Sequence, residues 1–169
     1  EGTERRRAHK AMSELLNKIL HKDNMNEAYK RVCANKGAGG VDGVSTEELG
    51  EYIKANWPTI KEQILRREYK PQPVRRVEIP KPNGGKRKLG IPTAMDRVIQ
   101  QAIVQVIGPI CDPHFSEFSY GFRPNRSCEM AIRKVLEYLN EDYTWIVDID
   151  LEKFFDNVHN FAFFADLNA

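Results

Sequence analysis

Asp148 and Asp150 are the side chains of this sequence best suited to chemistry, because they lie two residues apart on a strand-like apolar segment. On an extended segment, that spacing places both carboxylates on the same face. Carboxylates at the end of a strand suit Mg²⁺, which takes one or two protein carboxylates together with substrate phosphates. An aspartate at the surface end of a strand is the simpler interpretation, and the spacing alone leaves both open.

Basic side chains dominate residues 61–90, where ten Lys or Arg stand against three Glu. The cations of the hairpin predicted within this segment are Arg75, Arg76, Lys81, Lys86, Arg87 and Lys88. Its turn would bring Lys81 and Arg87 to the same end of the ladder, an arrangement that suits a polyphosphate or a nucleic-acid backbone. Lysines on a strand edge also discourage edge-to-edge pairing, so a solvated edge is the alternative.

Charge is distributed unevenly, although the whole chain has 26 basic and 24 acidic residues and a net charge of +2. Residues 136–169 contain one Lys against eight acidic residues. The net charge near zero excludes a histone-like polycation, whereas the asymmetry indicates separate basic and acidic surfaces.

Several other classes of protein are disfavoured. Cys33, Cys111 and Cys128 are far apart and lack the spacing of a disulfide framework or a zinc site. The sequence contains neither a nucleophile elbow nor a His-Glu-x-x-His pattern. No apolar stretch follows the N-terminal arginines, so we expect no signal peptide, no membrane partner and a cytoplasmic protein.

Two loops have compositions that suit nucleic acid, although neither is specific alone. Backbone N–H groups of the glycine-rich residues 37–40 would cradle a phosphate, but the lysine of a P-loop is missing. Residues 120–126 interleave aromatic side chains with Arg123 and Arg126, which suits base stacking and phosphate binding. A flexible connection and an ordered surface loop are the respective alternatives.

Helical periodicity dominates the N-terminal third. Two apolar stripes predict two helices, the second with Asp23 as its N-cap. Ser45 and Glu48 have the spacing of a capping box and predict the start of the next helix, and Pro58 is placed at the first position of another. The stripes consist of Met12, Leu15, Leu16, Ile19 and Leu20, then of Met25, Ala28, Tyr29, Val32 and Cys33.

The middle of the chain changes to the alternation of strands. Residues 74–79 and 87–91 flank a Pro-Asn-Gly-Gly turn and predict a β-hairpin. Residues 144–149 alternate again and predict a further strand. Helices combined with these strands indicate an α+β fold.

Two helices are predicted around these strands. Thr93 is the predicted N-cap of a strongly periodic helix, and the Gly-Pro pair at residues 108–109 is predicted to end it. Ser127 is predicted to begin the other helix, which carries an apolar stripe of its own.

Several ordered motifs occur here together: residues 34–37, 40–45, 75–82, 87–93, 96–97, 100–103, 115–116, 120–126 and 148–156. In this order and spacing they resemble group II intron-encoded reverse transcriptases, the maturases, from about residue 12 to residue 158. The resemblance implies the fingers and partial palm of a right-hand polymerase, with helices, a β-hairpin and a short palm strand.

The same resemblance implies a metal site and a nucleotide site. Asp150 corresponds to the first of three metal-binding aspartates and is the implied catalytic residue, and Leu151 would supply a backbone carbonyl to the same Mg²⁺. Lys81 and Arg87 correspond to the pair that binds the triphosphate of the incoming dNTP. Phe155 corresponds to the aromatic gate that excludes a 2′-hydroxyl. The implied chemistry is attack of a primer 3′-OH on the α-phosphate.

An RNA template, here group II intron RNA, and a DNA primer are the macromolecular partners that the resemblance implies. Residues 35–40 correspond to a lid over the template, and we call them the lid loop. The implied template-binding residues are Asn35, Gly37, Gly40, Arg75, Ile91, Pro92, Arg97, Arg123 and Arg126. Trp145, Ile149 and the neighbouring phenylalanines would pack under the rest of the palm, and their exposure predicts self-association, such as a homodimer, or aggregation.

By family segments, the chain divides into a helical extension with the lid loop at residues 1–45, fingers at 46–140, and a first palm strand with an atypical tail at 141–169. The family pattern breaks after Val158, and no Tyr-Ala-Asp-Asp signature follows. We therefore expect the chain alone to be inactive as a polymerase. A non-catalytic RNA-binding module that supports splicing is one alternative, and a helical interaction domain with a basic hairpin is another.

Overall fold

The computed structural model describes residues 2–82 and 84–151. The chain divides into two compact units, Glu1–Phe115 and Ser116–Ala169. The first contains α1 (Gly2–Ile19), α2 (Lys22–Ala34), α3 (Leu49–Leu65), β1 (Arg75–Pro80), β2 (Lys86–Ile91), α4 (Ala94–Cys111) and a 3₁₀ turn (Asp112–His114). The second contains α5 (Cys128–Asn140). Phe155 and the tail 159–169 lie outside the described residues, and the predicted family boundaries stay a prediction.

The core of the first unit lies where α2 and α3 meet α4. Leu49 and Val98 are completely buried, and small side chains complete the cluster. Burying such apolar surface supplies the main driving force for the packing of these helices. The cluster consists of Ala28, Val32, Leu49, Ala94, Val98 and Ala102.

Two predicted helix starts differ from the structure. The N-cap of α2 is His21, whose Nδ1 accepts the Asp23 N–H at 3.4 Å, so Asp23 lies in the first turn. There its negative charge still interacts favourably with the dipole of α2. Pro58 lies inside α3 instead of opening a helix. Leu49 and Ile60 are buried on either side of it, and their packing outweighs the loss of one backbone hydrogen bond.

Capping predictions for the remaining helices are largely confirmed. Ser45 and Glu48 form the reciprocal bonds of the predicted capping box. The helix α3 itself begins three residues later than that box predicts, at Leu49 with Glu48 as its N-cap residue. The Thr93 and Ser127 side chains cap α4 and α5. The predicted end of α4 at residues 108–109 is wrong, since Pro109 lies inside the helix. A proline so close to the C-terminus costs only one intrahelical bond.

The predicted β-hairpin is confirmed as an antiparallel pair of β1 and β2. Arg75 pairs with Ile91 at its base, and Ile79 pairs with Arg87 near its turn. The turn itself contains Gly84 at φ +79° and Gly85 at φ +85°, a region of backbone conformation that glycine adopts without strain.

The second unit differs from its prediction in one element. Residues 144–151 form no strand, and their apolar side chains are largely exposed, with Trp145 at 94% and Val147 at 81%. Alternation describes a strand only where a neighbouring strand completes the hydrogen-bonded ladder, and the described residues supply none at this segment. Among the described helices, none has both the length and the apolar composition needed to cross a membrane.

Candidate template and nucleotide site

The lid loop (residues 35–40) packs directly against the N-terminus of α4. A Cβ added at Gly40 would lie 2.6 Å from the Cα and 2.7 Å from the N of Thr93. Real Cβ atoms do not approach backbone atoms this closely, so only glycine permits the contact. The glycines that the sequence analysis placed in a phosphate or template loop therefore have a packing role as well.

Arg97 fastens the same loop from the first turn of α4. Its Nη2 donates to the carbonyl oxygen of Ala38 at 2.9 Å, and Gly37 leaves the space that the guanidinium occupies. The Arg97 Nε is buried and has no hydrogen-bond partner among the described residues. An unpaired buried donor is costly, so the contacts that Arg97 makes with the lid loop must outweigh that cost.

The structure thus brings together most of the predicted template-binding residues in the first unit. Gly37, Gly40, Pro92 and Arg97 meet at the N-terminus of α4. Ile91 ends β2 one residue before Pro92, and Arg75 pairs with it across the hairpin base. Asn35 is the exposed C-cap residue of α2, where the loop begins. Their contact with RNA stays a prediction.

Asp96 is a residue that the sequence analysis did not assign to the site. It is 2% exposed, and its carboxylate accepts the Tyr69 hydroxyl at 2.6 Å, the Gln72 N–H at 3.1 Å and the Thr93 hydroxyl at 2.7 Å. Burial, together with this bond to Asp96, raises the pKa of Tyr69 far above its ordinary value. Only the Thr93–Asp96 spacing was visible in the sequence, because Tyr69 and Gln72 are distant along the chain.

Lys81 and Arg87 lie at the turn end of the hairpin, as predicted. The Lys81 N–H donates to the Gly85 carbonyl at 3.0 Å, which continues the ladder past Pro80. Because side chains alternate along a strand, Lys81 lies on the same face as Ile79. Arg87 pairs with Ile79 across the hairpin and therefore lies on that face too. Both cations are exposed. Lys86 lies on the other face, where its Nζ pairs with Glu78 at 2.6 Å.

Arg123 and Arg126 hold their own loop in the second unit. Arg123 Nη1 donates to the carbonyls of Ser116 at 2.7 Å and Ser119 at 3.2 Å, and Arg126 Nη1 donates to that of Glu117 at 2.8 Å. The Arg126 guanidinium also lies 5.4 Å from the ring centroid of Tyr120. These bonds support the interpretation of an ordered loop, and a contact of either arginine with the template stays a prediction.

Asp148, Asp150 and Leu151 lie on the exposed segment after α5. An aspartate carboxylate and a backbone carbonyl are the hard oxygen donors that Mg²⁺ prefers, and this cation keeps several waters and phosphates besides. Across the described ranges, no three His, Cys, Asp or Glu side chains group closely enough to hold a metal. The donor types therefore fit a share of a Mg²⁺ shell.

Comparison with known proteins finds a matching family and several similar sequences. The profile of the family "Reverse transcriptase (RNA-dependent DNA polymerase)" matches residues 79–168. The chain is 38% identical over 152 residues to Protein YkfC of Escherichia coli, and 35% identical over 158 residues to the group II intron-encoded protein LtrA of Lactococcus lactis. It is 30% identical over 67 residues, or 40% of its length, to nuclear intron maturase 1 of Arabidopsis thaliana, of which it spans 9%.

The two longer matches cover most of this chain but less than half of each relative. They include 86% and 89% of this chain but only 40% of YkfC and 25% of LtrA. The matched region of this chain therefore contains the lid loop, the hairpin and α4, while most of the length of both relatives lies outside it.

Proposed function

Because the chain belongs to the reverse transcriptase (RNA-dependent DNA polymerase) family, we propose that it forms the template- and nucleotide-binding part of an RNA-directed DNA polymerase. Its resemblance to group II intron-encoded proteins narrows the proposal to the polymerases that such introns encode. The template is then an intron RNA, the primer is DNA and the incoming nucleotide is a dNTP.

The observation that carries the proposal is the assembly at the N-terminus of α4. Gly37 and Gly40 keep the lid loop against Pro92 and Arg97, which presents loop backbone and guanidinium side by side. The half-buried guanidinium of Arg97 would offer its positive charge to a phosphate of the template. Because glycine has no side chain, the backbone of this loop lets a nucleic-acid strand approach closely.

Nucleotide binding is proposed for the turn end of the hairpin. Lys81 and Arg87 are exposed cations on one face, and their charge would neutralise a triphosphate. Asp150 and the Leu151 carbonyl would contribute to holding Mg²⁺, and Phe155 would exclude ribonucleotides. The bound cation would supply charge neutralisation at the phosphates during transfer.

Catalysis is proposed only together with the further palm residues that the resemblance implies, and not for these 169 residues alone. The relatives are much longer than the matched region. By the resemblance, only Asp150 of this sequence corresponds to one of the three metal-binding aspartates. We expect no Mg²⁺-dependent primer extension by the 169 residues. Synthesis of DNA by the isolated chain would contradict this part of the proposal.

Binding to a DNA primer annealed to an RNA template with a single-stranded overhang tests the proposal directly. Anisotropy measured at several salt concentrations gives the affinity and its salt slope. We expect Arg97→Gln to weaken binding and to lower the slope by about 1, whereas the control Lys30→Ala on the exposed face of α2 leaves both unchanged. Equal effects of the two variants would contradict a template site at α4.

A second candidate function is a non-catalytic RNA-binding module that supports splicing, which the similarity to a nuclear intron maturase favours. The two functions would separate in a protein that joins this chain to the remaining palm residues that the resemblance implies. There, Asp150→Asn would abolish DNA synthesis but leave RNA affinity and splicing intact. Loss of RNA binding in that variant would argue against the separation.

Self-association is the remaining proposed interaction. Trp145 and Ile149 are 94% and 81% exposed, and exposed apolar patches of this kind mark contact surfaces. Sedimentation over a range of concentrations would detect a homodimer, and Trp145→Ser would weaken it. The cytoplasmic location expected from the sequence stays a prediction.

A further inference from the structure

We propose that Asp96 is a positioning residue, which anchors the base of the hairpin and thereby sets where Lys81 and Arg87 stand relative to the lid loop. The nucleotide part of this inference rests on the proposed function. The positioning itself concerns only the geometry of the first unit and is measured separately.

At the base of the hairpin, one carboxylate bonds to both the segment that enters β1 and the segment that leaves β2. The chain enters β1 through residues 69–74, and Asp96 accepts the Tyr69 hydroxyl and the Gln72 N–H from this entry segment. The chain leaves β2 through Pro92 and Thr93, and Asp96 accepts the Thr93 hydroxyl. Its position therefore determines how the two connections meet at the start of α4.

Few other contacts fix the orientation of the hairpin. Its strands contact each other, but within the described part of the chain neither strand packs against a helix. All residues of β1 are exposed, and only Ile91 of β2 is half-buried. A two-stranded ribbon without packing on its faces takes its orientation from its base.

The lid loop is anchored on the same helical turn. Arg97 follows Asp96 directly and donates to the Ala38 carbonyl. Consecutive residues of α4 thus hold the proposed nucleotide-binding hairpin and the proposed template-binding loop. Because Met95 and Val98 on either side are buried in the core, this turn is a fixed reference for both.

Distances between spin labels measure this positioning. The labels replace Lys30 on α2 and Lys88 on the hairpin, both exposed, in a chain whose three cysteines are changed to alanine. We expect one narrow distance in this parent. Asp96→Asn should lose it and give a broad distribution, because an amide nitrogen cannot accept the bonds that a carboxylate oxygen accepts.

Two further variants separate positioning from general stability. Tyr69→Phe removes only one bond and should broaden the distribution less, and it decides the question if Asp96→Asn does not fold. Gln105→Met removes the bonds to Asn24 further along α4, at 2.7 and 3.1 Å, and should lower stability with the distance unchanged. An unchanged distance in both Asp96→Asn and Tyr69→Phe would overturn the inference, as would equal broadening in Gln105→Met.

Affinities then connect positioning to the proposed function. In Asp96→Asn we expect dNTP–Mg²⁺ affinity to fall about threefold to tenfold, the range that lost hydrogen bonds produce, with RNA affinity retained because Arg97 still holds the lid loop. Equal loss of both affinities would contradict a specific effect on the hairpin. If the unchanged chain binds no dNTP, the nucleotide site of the proposed function fails, while the distances still decide whether Asp96 positions the hairpin.

Discussion

The two compact units bury the same kind of amphipathic helix to different extents. In Glu1–Phe115, α4 has Val98 and Ala102 completely buried. In Ser116–Ala169, α5 is strongly amphipathic, yet none of its residues is buried, and Val135 and Leu136 are about half exposed. A stripe at helical spacing therefore predicts that a helix forms, whereas burial depends on which elements lie against it.

Aromatic and cationic contacts take the place of a core around α5. Lys134 lies 4.9 Å from the ring centroid of Tyr138, which packs edge-on against Tyr143 at 5.9 Å. Such contacts are worth about 0.5–1 kcal/mol each at exposed sites. Local contacts and its cap thus account for the helix, while the first unit depends on its shared core.

The largest contrast is expected for two leucines. Leu49→Ala in the core should lower the free energy of unfolding by about 2–5 kcal/mol, since it leaves a cavity beside Val98. Leu136→Ala on α5 should cost less than about 1 kcal/mol, because 53% of that side chain is exposed already. Urea unfolding followed by circular dichroism measures both, and similar losses would show that the two units bury their helices alike.

Two glycines sharpen the contrast within the first unit. Gly40→Ala should cost about 1–3 kcal/mol and weaken RNA binding, because its Cβ would overlap the backbone of Thr93. Gly108→Ala in α4 meets no atom within 4 Å and should instead stabilise the helix by up to about 1 kcal/mol. Thermal unfolding measures the stability of both glycine variants, and the fluorescence anisotropy of the labelled primer–template measures their RNA binding. Tolerance of Gly40→Ala would mean that the lid loop is not held against α4.

The helix caps extend the comparison to smaller effects. Thr93→Ala should cost about 1–2 kcal/mol, since it uncaps α4 and also removes a bond to buried Asp96. Ser127→Ala should cost about 0.5–1 kcal/mol, since the cap of α5 is exposed. Amide hydrogen exchange resolved by helix distinguishes the two. Faster exchange in α4 after the Ser127 change would show that the units do not respond separately.

The smallest expected effect is the pH dependence at the start of α3. Bonds from the Ser45 N–H and hydroxyl lower the pKa of Glu48 below its ordinary value of 4.5. A lowered pKa stabilises the fold above about pH 4.5, and that contribution is lost as the pH falls through the folded-state pKa. Glu48→Gln should therefore flatten the acid limb of the stability curve. Glu47→Gln removes an equal charge without breaking these bonds and should leave the limb unchanged.

Sequence reasoning succeeded where the determining contacts are close along the chain. The hairpin was predicted from alternation around a Gly-Gly turn, and the caps Thr93 and Ser127 from their spacing to the following helix. The strand at residues 144–149 was wrong, because a strand needs a partner that the alternating pattern does not supply. Pro58 was misplaced because packing of Leu49 and Ile60 outweighs a local breaker.

The amino-acid sequence by itself determined the family, the α+β elements and the candidate cations at the hairpin turn, since motifs and periodicity are properties of neighbouring residues. Only the tertiary structure decided that the lid loop rests on α4 through Gly40 and that one carboxylate, Asp96, joins both ends of the hairpin. Gly40 lies 53 positions from Thr93, and Asp96 lies 27 positions from Tyr69 and 24 from Gln72. Such pairings form only when the packing of buried side chains brings distant segments together.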